Sequence, residues 1–190
     1  MTDERFFELC KFERQLKEEG YTLIAGIDEA GRGPLAGPVS AACVILEPGG
    51  PFVRGVDDSK KLSEKKREEL YNIIVEKAVS YGVAFATPEE IDEINILNAT
   101  KLGVKIALEG LTQKPDVIMV DALNNMDTLG IPYISVVKGD AKNYSIAAAS
   151  IIAKVSRDRF MLEIDKQYPE YQFSKHKGYG TKLHYEMIEK

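Results

Sequence analysis

Two apolar runs joined by a stretch rich in glycine and proline constrain the fold of this chain most strongly. The runs are residues 22–27 and 39–46, and each is typical of a buried β-strand. The joining stretch, residues 26–38, carries Asp28 and Glu29 where the first strand is expected to stop. Two adjacent carboxylates beside a core repel each other unless a metal, a proton or another partner compensates their charge. The pair therefore indicates a functional site.

Extended and helical patterns alternate along the remaining chain. The early strands lie close together in sequence and helices separate the later ones, which predicts antiparallel pairing first and parallel pairing afterwards. We therefore expect an α/β fold with a mixed β-sheet flanked by α-helices. No linker divides the 190 residues, so one domain is expected. The further predicted strands are residues 83–86, 116–121 and 133–137. The predicted helices are residues 1–20, 63–79, 87–111, which is one long helix or a pair, and 143–168.

The charge of the chain is unevenly distributed. A net charge of -5 argues against a general nucleic-acid binder, yet residues 138–184 contain nine Lys or Arg against five Asp or Glu. The fold could bring these basic residues together on one positive face. More often, however, such residues are simply solvated surface. Cys10 and Cys43 lack metal-ligand spacing, so reduced thiols in a cytoplasmic protein are expected.

Acids follow three of the predicted core strands. Asp28 and Glu29 come after the first, Asp121 ends another, and Asp140 follows the strand over residues 133–137. Ligands of open α/β sheets bind at the carboxyl ends of strands, so four carboxylates are expected at one edge of the sheet. Since the chain has only two histidines, these oxygen ligands favour Mg²⁺ or Mn²⁺. Two such ions can clamp an in-line phosphoryl displacement.

Simpler explanations of these acids stay open. Any one of them alone is better explained as a turn-forming residue, although that explanation weakens when four occur together. Neighbouring residues on a strand point to opposite faces, so Asp28 and Glu29 share a site only if the strand ends or bulges there. Gly31 and Gly33 are expected to provide that break.

The glycines after the acid pair do not form a dinucleotide-binding loop. Pro34 and Pro38 interrupt them, and a strand rather than a helix follows. Glycines can instead bring backbone N–H and C=O groups close to a sugar or a phosphate, with Arg32 as a partner for the anion.

The stretch over residues 26–38 resembles the signature of the ribonuclease HII family. Further stretches agree with that family in order, and the resemblance extends over about residues 21–185. These stretches are DSKKL at residues 58–62, VDA at 120–122, KGD at 138–140, AAASIIAKVSRD at 147–158 and HKGYGT at 176–181.

The resemblance implies a ribonuclease-H-like fold and an endonuclease that cuts on the 5′ side of a ribonucleotide embedded in, or joined to, DNA in a duplex. The products are then expected to carry a 3′-hydroxyl and a 5′-phosphate. The residues that match the family's metal-binding carboxylates, expected to hold two Mg²⁺ or Mn²⁺ ions, are Asp28, Glu29, Asp121 and Asp140.

The resemblance also implies substrate contacts. Gly31, Arg32 and Gly33 match the loop that senses the 2′-hydroxyl, and Tyr179 matches the tyrosine that packs against the sugar of the following deoxynucleotide. Apart from the resemblance, charge and the spacing of one helical face predict contacts with backbone phosphates for Lys60, Lys138, Ser150, Lys154 and Arg157. The lysines expected to be solvated surface are Lys61, Lys65, Lys66 and Lys142.

The resemblance divides the chain into a helical extension over residues 1–20 and a catalytic domain over residues 21–190. The family pattern continues into a further C-terminal tail, which is expected to be absent after Lys190. The expected protein is a cytoplasmic monomer that acts on RNA/DNA hybrids or on DNA duplexes containing ribonucleotides, and not on membranes. Two alternatives stay open: another nuclease of the same fold, and a non-catalytic, metal-stabilised module that binds nucleic acid.

Overall fold

A five-stranded mixed β-sheet forms the centre of the computed structural model, which describes residues 2–46 and 53–190. Its order is β3-β2-β1-β4-β5, with β1, β2 and β3 antiparallel and β1, β4 and β5 parallel. The expected mixed sheet, antiparallel early and parallel late, is confirmed. The strands are β1 (Ile24–Ala30), β2 (Val39–Leu46), β3 (Ala78–Ala86), β4 (Val117–Asp121) and β5 (Tyr133–Val136).

Eight α-helices among the described residues complete the fold. The starts of three of them follow from local capping: Thr87 and Glu90 form a reciprocal capping box, and Ser63 and Asn143 accept from backbone N–H groups of the helices that they precede. The helices are α1 (Asp3–Leu9), α2 (Lys11–Glu18), α3 (Glu64–Lys77), α4 (Pro88–Glu109), α5 (Gly139–Lys142), α6 (Tyr144–Gln167), α7 (Phe173–His176) and α8 (Lys182–Ile188). None of them is long and apolar enough to cross a membrane.

The N-terminal helix and the third strand differ from the sequence prediction in their boundaries. The single helix expected over residues 1–20 is divided in two at Cys10. Strand β3 begins at Ala78, five residues before its predicted start. Its inward residues from Ser80 onward alternate but are small, so hydrophobicity alone did not mark them. They are small because α4 lies very close: a Cβ on Gly82 would be 2.0 Å from the carbonyl oxygen of Ala107.

Helix α6 covers the opposite face of the sheet and is the most buried helix of the fold. Its small residues, Ala147–Ala149 and Ala153, are fully buried in one core cluster with residues of β2 and α3. A Cβ on Gly26 of β1 would lie 2.1 Å from the backbone of Ser145, so helix and strand touch backbone to backbone. The expectation that this small-residue helix packs against the sheet is confirmed. This contact fixes the position of α6 against the strand that carries Asp28 and Glu29.

Candidate active site

Three carboxylates converge at the carboxyl ends of the parallel strands. Asp28 on β1, Asp121 at the end of β4 and Asp140 in α5 each offer an oxygen, and these oxygens all lie within 4.8 Å of one another. Parallel pairing of Ile27 with Val120 brings the first two acids to adjacent strand ends. Three of the four acids that were expected at one edge of the sheet are therefore close together in the structure.

A tight turn places Asp140 in this cluster. Lys138 adopts a left-handed conformation with φ of 58°, and the next residue begins the four-residue helix α5. The Gly139 N–H donates to Oδ1 of Asp121 at 2.8 Å. A Cβ on Gly139 would come within 2.5 Å of Cδ1 of Ile146, so a larger residue here would displace that side chain. Asp140 thus belongs to the first turn of a helix rather than to a loop.

Glu29 borders the cluster without joining the carboxylate triad. The predicted strand break is wrong, since β1 continues through both acids to Ala30, which still pairs with Ser40 of β2. Pairing with β4, however, stops at Ile27. The last residues of β1 therefore project beyond β4, and Asp28 and Glu29 both line one cleft of about 440 Å³.

The acids are electrostatically strained. Burial, followed by the charges of Glu29, Asp121 and Asp140, raises the pKa of Asp28 well above its ordinary value. Burial also raises the pKa of Asp121, although the Gly139 N–H opposes it, and that of Glu29, although Arg32 opposes it at 3.1 Å. The chain therefore needs added positive charge at this point.

The donor set fits a divalent cation. Every potential ligand is a carboxylate oxygen, which is the ligand type that Mg²⁺ and Mn²⁺ prefer. Oε2 of Glu29 is buried and has no hydrogen-bond partner among the described residues. A buried carboxylate oxygen without a donor is costly unless a cation approaches it.

Lys60 supplies part of the compensating charge. Its Nζ lies 2.7 Å from Oδ2 of Asp140, and that hydrogen bond raises the pKa of the lysine. The lysine belongs to a 3-10 turn over Ser59–Lys61, where Asp58 accepts from the Lys60 N–H. In the structure the Lys60 ammonium faces the acids. Its contact with a substrate phosphate stays a prediction.

The glycine-containing loop lines the same cleft as the acids. Gly31 has φ of +114°, and a Cβ there would lie 2.4 Å from the carbonyl oxygen of Pro38, so the backbone requires glycine. A Cβ on Gly33 would meet no atom within 4 Å, which leaves this backbone open to the cleft. Arg32 lies between them and pairs with Glu29. The expected roles of the three residues towards a sugar stay predictions.

The remaining predicted contacts lie on the far wall of the cleft. Tyr179 is partly exposed, and Nζ of Lys154 is 5.3 Å from the centre of its ring. Lys154 also pairs with Asp158 at 2.7 Å. Ser150 lines the cleft too, but it is buried, and its hydroxyl donates to the Ala147 carbonyl. The structure brings all of these residues to one opening.

Arg157 corrects a sequence prediction. It was expected to contact phosphate, but its side chain is fully buried and no part of it reaches solvent. Its guanidinium donates to the carbonyl oxygens of Pro38, Lys177 and Ala36 at 2.8–2.9 Å. It therefore ties the end of the glycine-containing loop to the loop that carries Tyr179.

The two histidines are a further feature that sequence reasoning missed. The rings of His176 and His184 stack with centres 4.3 Å apart, and both are buried. Nδ1 of His184 donates to the Tyr179 carbonyl at 3.0 Å, and Nδ1 of His176 accepts from the Gly178 N–H at 3.2 Å. Their positions on either side of Tyr179 were the available signal.

Comparisons with known proteins identify the family of the chain. A sequence model of the family Ribonuclease HII matches residues 25–190. Proteins named Ribonuclease HII from Acetivibrio thermocellus and Caldicellulosiruptor bescii are 55% and 52% identical to this chain, covering 98% and 99% of it and 72% and 89% of their own lengths.

Solved structures are similar as well. The ribonuclease H2 of Pyrococcus horikoshii has a TM-score of 0.74 at 31% identity, over 87% of this chain and 84% of that one. The RNase HII of Archaeoglobus fulgidus, solved in a complex with PCNA, has a TM-score of 0.73 at 31% identity, over 88% and 87% of the two chains. The resemblance found in the sequence is confirmed, and the chain belongs to the ribonuclease HII family of endoribonucleases.

Proposed function

We propose that the protein cleaves RNA in RNA/DNA hybrids and hydrolyses the phosphodiester on the 5′ side of a ribonucleotide embedded in, or joined to, DNA in a duplex. The products are a 3′-hydroxyl and a 5′-phosphate. The observation that carries the proposal is the convergence of Asp28, Asp121 and Asp140 in the cleft that also holds the glycine-containing loop and Tyr179. The proposed catalytic carboxylates and the surface proposed to bind the sugar thus line the same cleft.

Asp28, Glu29, Asp121 and Asp140 would hold Mg²⁺ or Mn²⁺ in this proposal, with two ions as the expected number. When bound, such ions supply an activated water and stabilise negative charge on the departing 3′-oxygen. The fold holds the acids together in advance, so little reorganisation accompanies cation binding. Lys60 lowers the repulsion among them before a cation is present.

Recognition of the substrate is assigned to the rest of the cleft. The backbone of Gly31, Arg32 and Gly33 approaches the 2′-hydroxyl, which is the group that distinguishes RNA from DNA. Tyr179 offers a ring face to the next sugar, and the loop contacts of Arg157 hold it opposite the glycines. Lys154 and Lys60 supply positive charge for phosphates, and such contacts position a duplex without reading its sequence.

A duplex with one embedded ribonucleotide tests the proposal. In magnesium, the wild-type protein should nick this duplex on the 5′ side of the ribonucleotide and leave an all-DNA duplex intact. Asp121→Asn should lower the nicking rate by about 10³-fold or more while the duplex still binds, because only the reacting centre loses charge. Binding without nicking by the wild-type protein would favour the non-catalytic module. Cleavage of long hybrids alone would favour another nuclease of this fold.

The assignment of place and assembly is also part of the proposal. Both cysteines, Cys10 and Cys43, are buried free thiols, which supports a reducing compartment such as the cytoplasm. Action as a monomer is retained as an expectation from the sequence. The division into an extension over residues 1–20 and a catalytic domain over residues 21–190 is likewise part of the proposal.

A further inference from the structure

Arg5 of helix α1 reaches two segments of the candidate active site that are distant in sequence. Its Nη2 donates to the carbonyl oxygen of Ala141 at 2.6 Å and to Oδ1 of Asp57 at 3.0 Å. Its Nε lies 3.5 Å from the other oxygen of Asp57. Arg5 therefore joins α5, which carries Asp140, to the segment that leads into Lys60.

These contacts close into a ring that includes the acid cluster. Oδ1 of Asp57 accepts from the Asp58 N–H at 2.8 Å, and Oδ1 of Asp58 accepts from the Lys60 N–H at 3.0 Å. Nζ of Lys60 then binds Oδ2 of Asp140 at 2.7 Å. Asp140 precedes Ala141, whose carbonyl returns the ring to Arg5.

Helix α5 needs such a brace. It has four residues, too few for a stable helix by itself, and its N-cap residue Lys138 makes no side-chain cap bond. The carbonyl groups at the end of a helix have no partners within it, and a cation nearby also suits the helix dipole. The guanidinium of Arg5 meets both needs at Ala141.

The segment that carries Arg5 is itself well anchored. Leu9 is fully buried, and the ring of Phe6 packs edge-on against Tyr144 at 5.4 Å. In the following helix α2, Glu13 accepts from the Ser145 N–H at 2.8 Å, at the start of α6. The N-terminal helices thus hold the chain on both sides of the junction between α5 and α6.

We propose that Arg5 is a positioning residue that sets the placement of Asp140 and Lys60, and that bracing the metal site is the role of the N-terminal helices. The inference rests on the proposed function in one respect, namely the assignment of Asp140 as a metal ligand. Arg5 is not among the residues that line the cleft, and it acts through Asp57 and Ala141.

The test compares four variants of the full chain with the wild type. Arg5→Ala removes the brace, Arg5→Lys retains the charge without the fork, and Asp57→Asn removes the anionic partner while an amide oxygen can still accept from Asp58. Arg14→Ala is the matched control, because Arg14 lies in the neighbouring helix α2 and contacts the carbonyls of Phe7 and Cys10 and the Phe7 ring, none of which belongs to the cleft. The readouts are hydrogen exchange without metal or substrate, Mn²⁺ affinity by calorimetry, and the kinetics of nicking.

Arg5→Ala should speed exchange in peptides spanning residues 57–61 and 139–143 by about tenfold, with little change in the sheet. Its affinity for Mn²⁺ should fall by about tenfold, the low end of what partners of metal ligands contribute. In nicking assays kcat should fall while KM changes little. Asp57→Asn should reproduce these effects, Arg5→Lys should recover part of the loss, and Arg14→Ala should match the wild type.

Unchanged exchange and unchanged Mn²⁺ affinity in Arg5→Ala would overturn the inference. Exchange that rises uniformly across the sheet would also overturn it, because that result describes general destabilisation. If Arg5→Ala does not fold, Asp57→Asn decides by the same two criteria. A wild-type protein that fails to nick the duplex would contradict the proposed function, whereas the exchange result for Arg5 would still stand or fall by itself.

Discussion

The buried guanidinium of Arg157 binds the carbonyl oxygen of Pro38, 119 residues earlier in the chain, at 2.9 Å. With the bonds to Ala36 and Lys177 it forms a three-way joint between the two loops of the cleft. In the proposed function, sugar sensing by one loop and ring packing by the other therefore depend on one side chain, whose guanidinium also lies 5.8 Å from the centre of the Tyr179 ring. The relative position of the loops is fixed from inside the protein.

Arg157→Met should destabilise the protein and reduce nicking. Three carbonyl groups would lose a charged donor, so the free energy of unfolding should fall by about 3 kcal/mol in urea titrations. Nicking should fall further than stability explains when it is measured well below the unfolding temperature. Arg159→Met is the control on the same helix, since that exposed arginine pairs with Glu68, and its loss should be about 1 kcal/mol or less. Equal losses in the two variants would contradict the joint.

Asp28→Asn should stabilise the protein when divalent cations are removed. The carboxylate of Asp28 is buried among like charges, so a neutral amide relieves repulsion. We expect the free energy of unfolding in EDTA to rise by about 1 kcal/mol or more, while nicking is lost. Asp158→Asn is the opposite case, because this buried acid pairs with Lys154 at 2.7 Å and with Arg67 at 3.7 Å, and it should destabilise. The same sign in both variants would refute the account.

Glu13 should make stability fall as the pH rises towards neutrality. Burial raises the pKa of this carboxyl to about 7 in the folded protein, and one of its oxygens has no partner among the described residues. The folded state therefore holds a proton that the unfolded state releases near pH 4.5, so stability is full below that pH and is lost as the pH rises to about 7. Relative to Glu13→Gln, the wild type should lose roughly 3 kcal/mol between pH 4.5 and 7.5. Parallel pH curves for the two proteins would show that Glu13 does not titrate in this range.

Alanine at the two loop glycines should separate folding from substrate binding. Gly31→Ala puts a Cβ against Pro38 at a positive φ, so it should cost about 2 kcal/mol or more in a urea titration. Gly33→Ala meets no protein atom and should leave stability within about 0.5 kcal/mol, yet it should raise KM for the ribonucleotide-containing duplex. A Gly33→Ala protein with unchanged KM would remove this residue from the substrate surface.

Sequence patterns were sufficient to predict most of the architecture. Periodicity and caps located the strands and long helices closely, because Thr87, Ser63 and Asn143 act locally. The first residues of β3 were not predicted as a strand, because the buried residues of this strand are small and contribute little to a hydrophobic pattern. Small size there reflects the close approach of α4, which is a tertiary property.

The acids were easier to predict than their surroundings. Each of the four stood out because it follows an apolar run, and their convergence follows from the sheet topology. The expected break in β1 was wrong. Glu29 reaches the cleft because the pairing of β4 with β1 stops at Ile27, and the length of a neighbouring strand cannot be predicted from the sequence of β1 alone. The roles of Arg157 and Arg5 depend on contacts with carbonyl groups more than 100 residues away, for which residue type gives no signal.

The backbone contact between Gly26 and Ser145 sets the distance between the sheet and helix α6, and this distance also determines how far apart the acids of the candidate active site lie. Asp28 lies two residues beyond one side of that contact, and Asp140 lies five residues before the other. A side chain at position 26 would push the two layers apart and carry these acids with them. The enzyme could then be silenced with every acid of the cleft intact, by a change in a residue that no substrate ever meets.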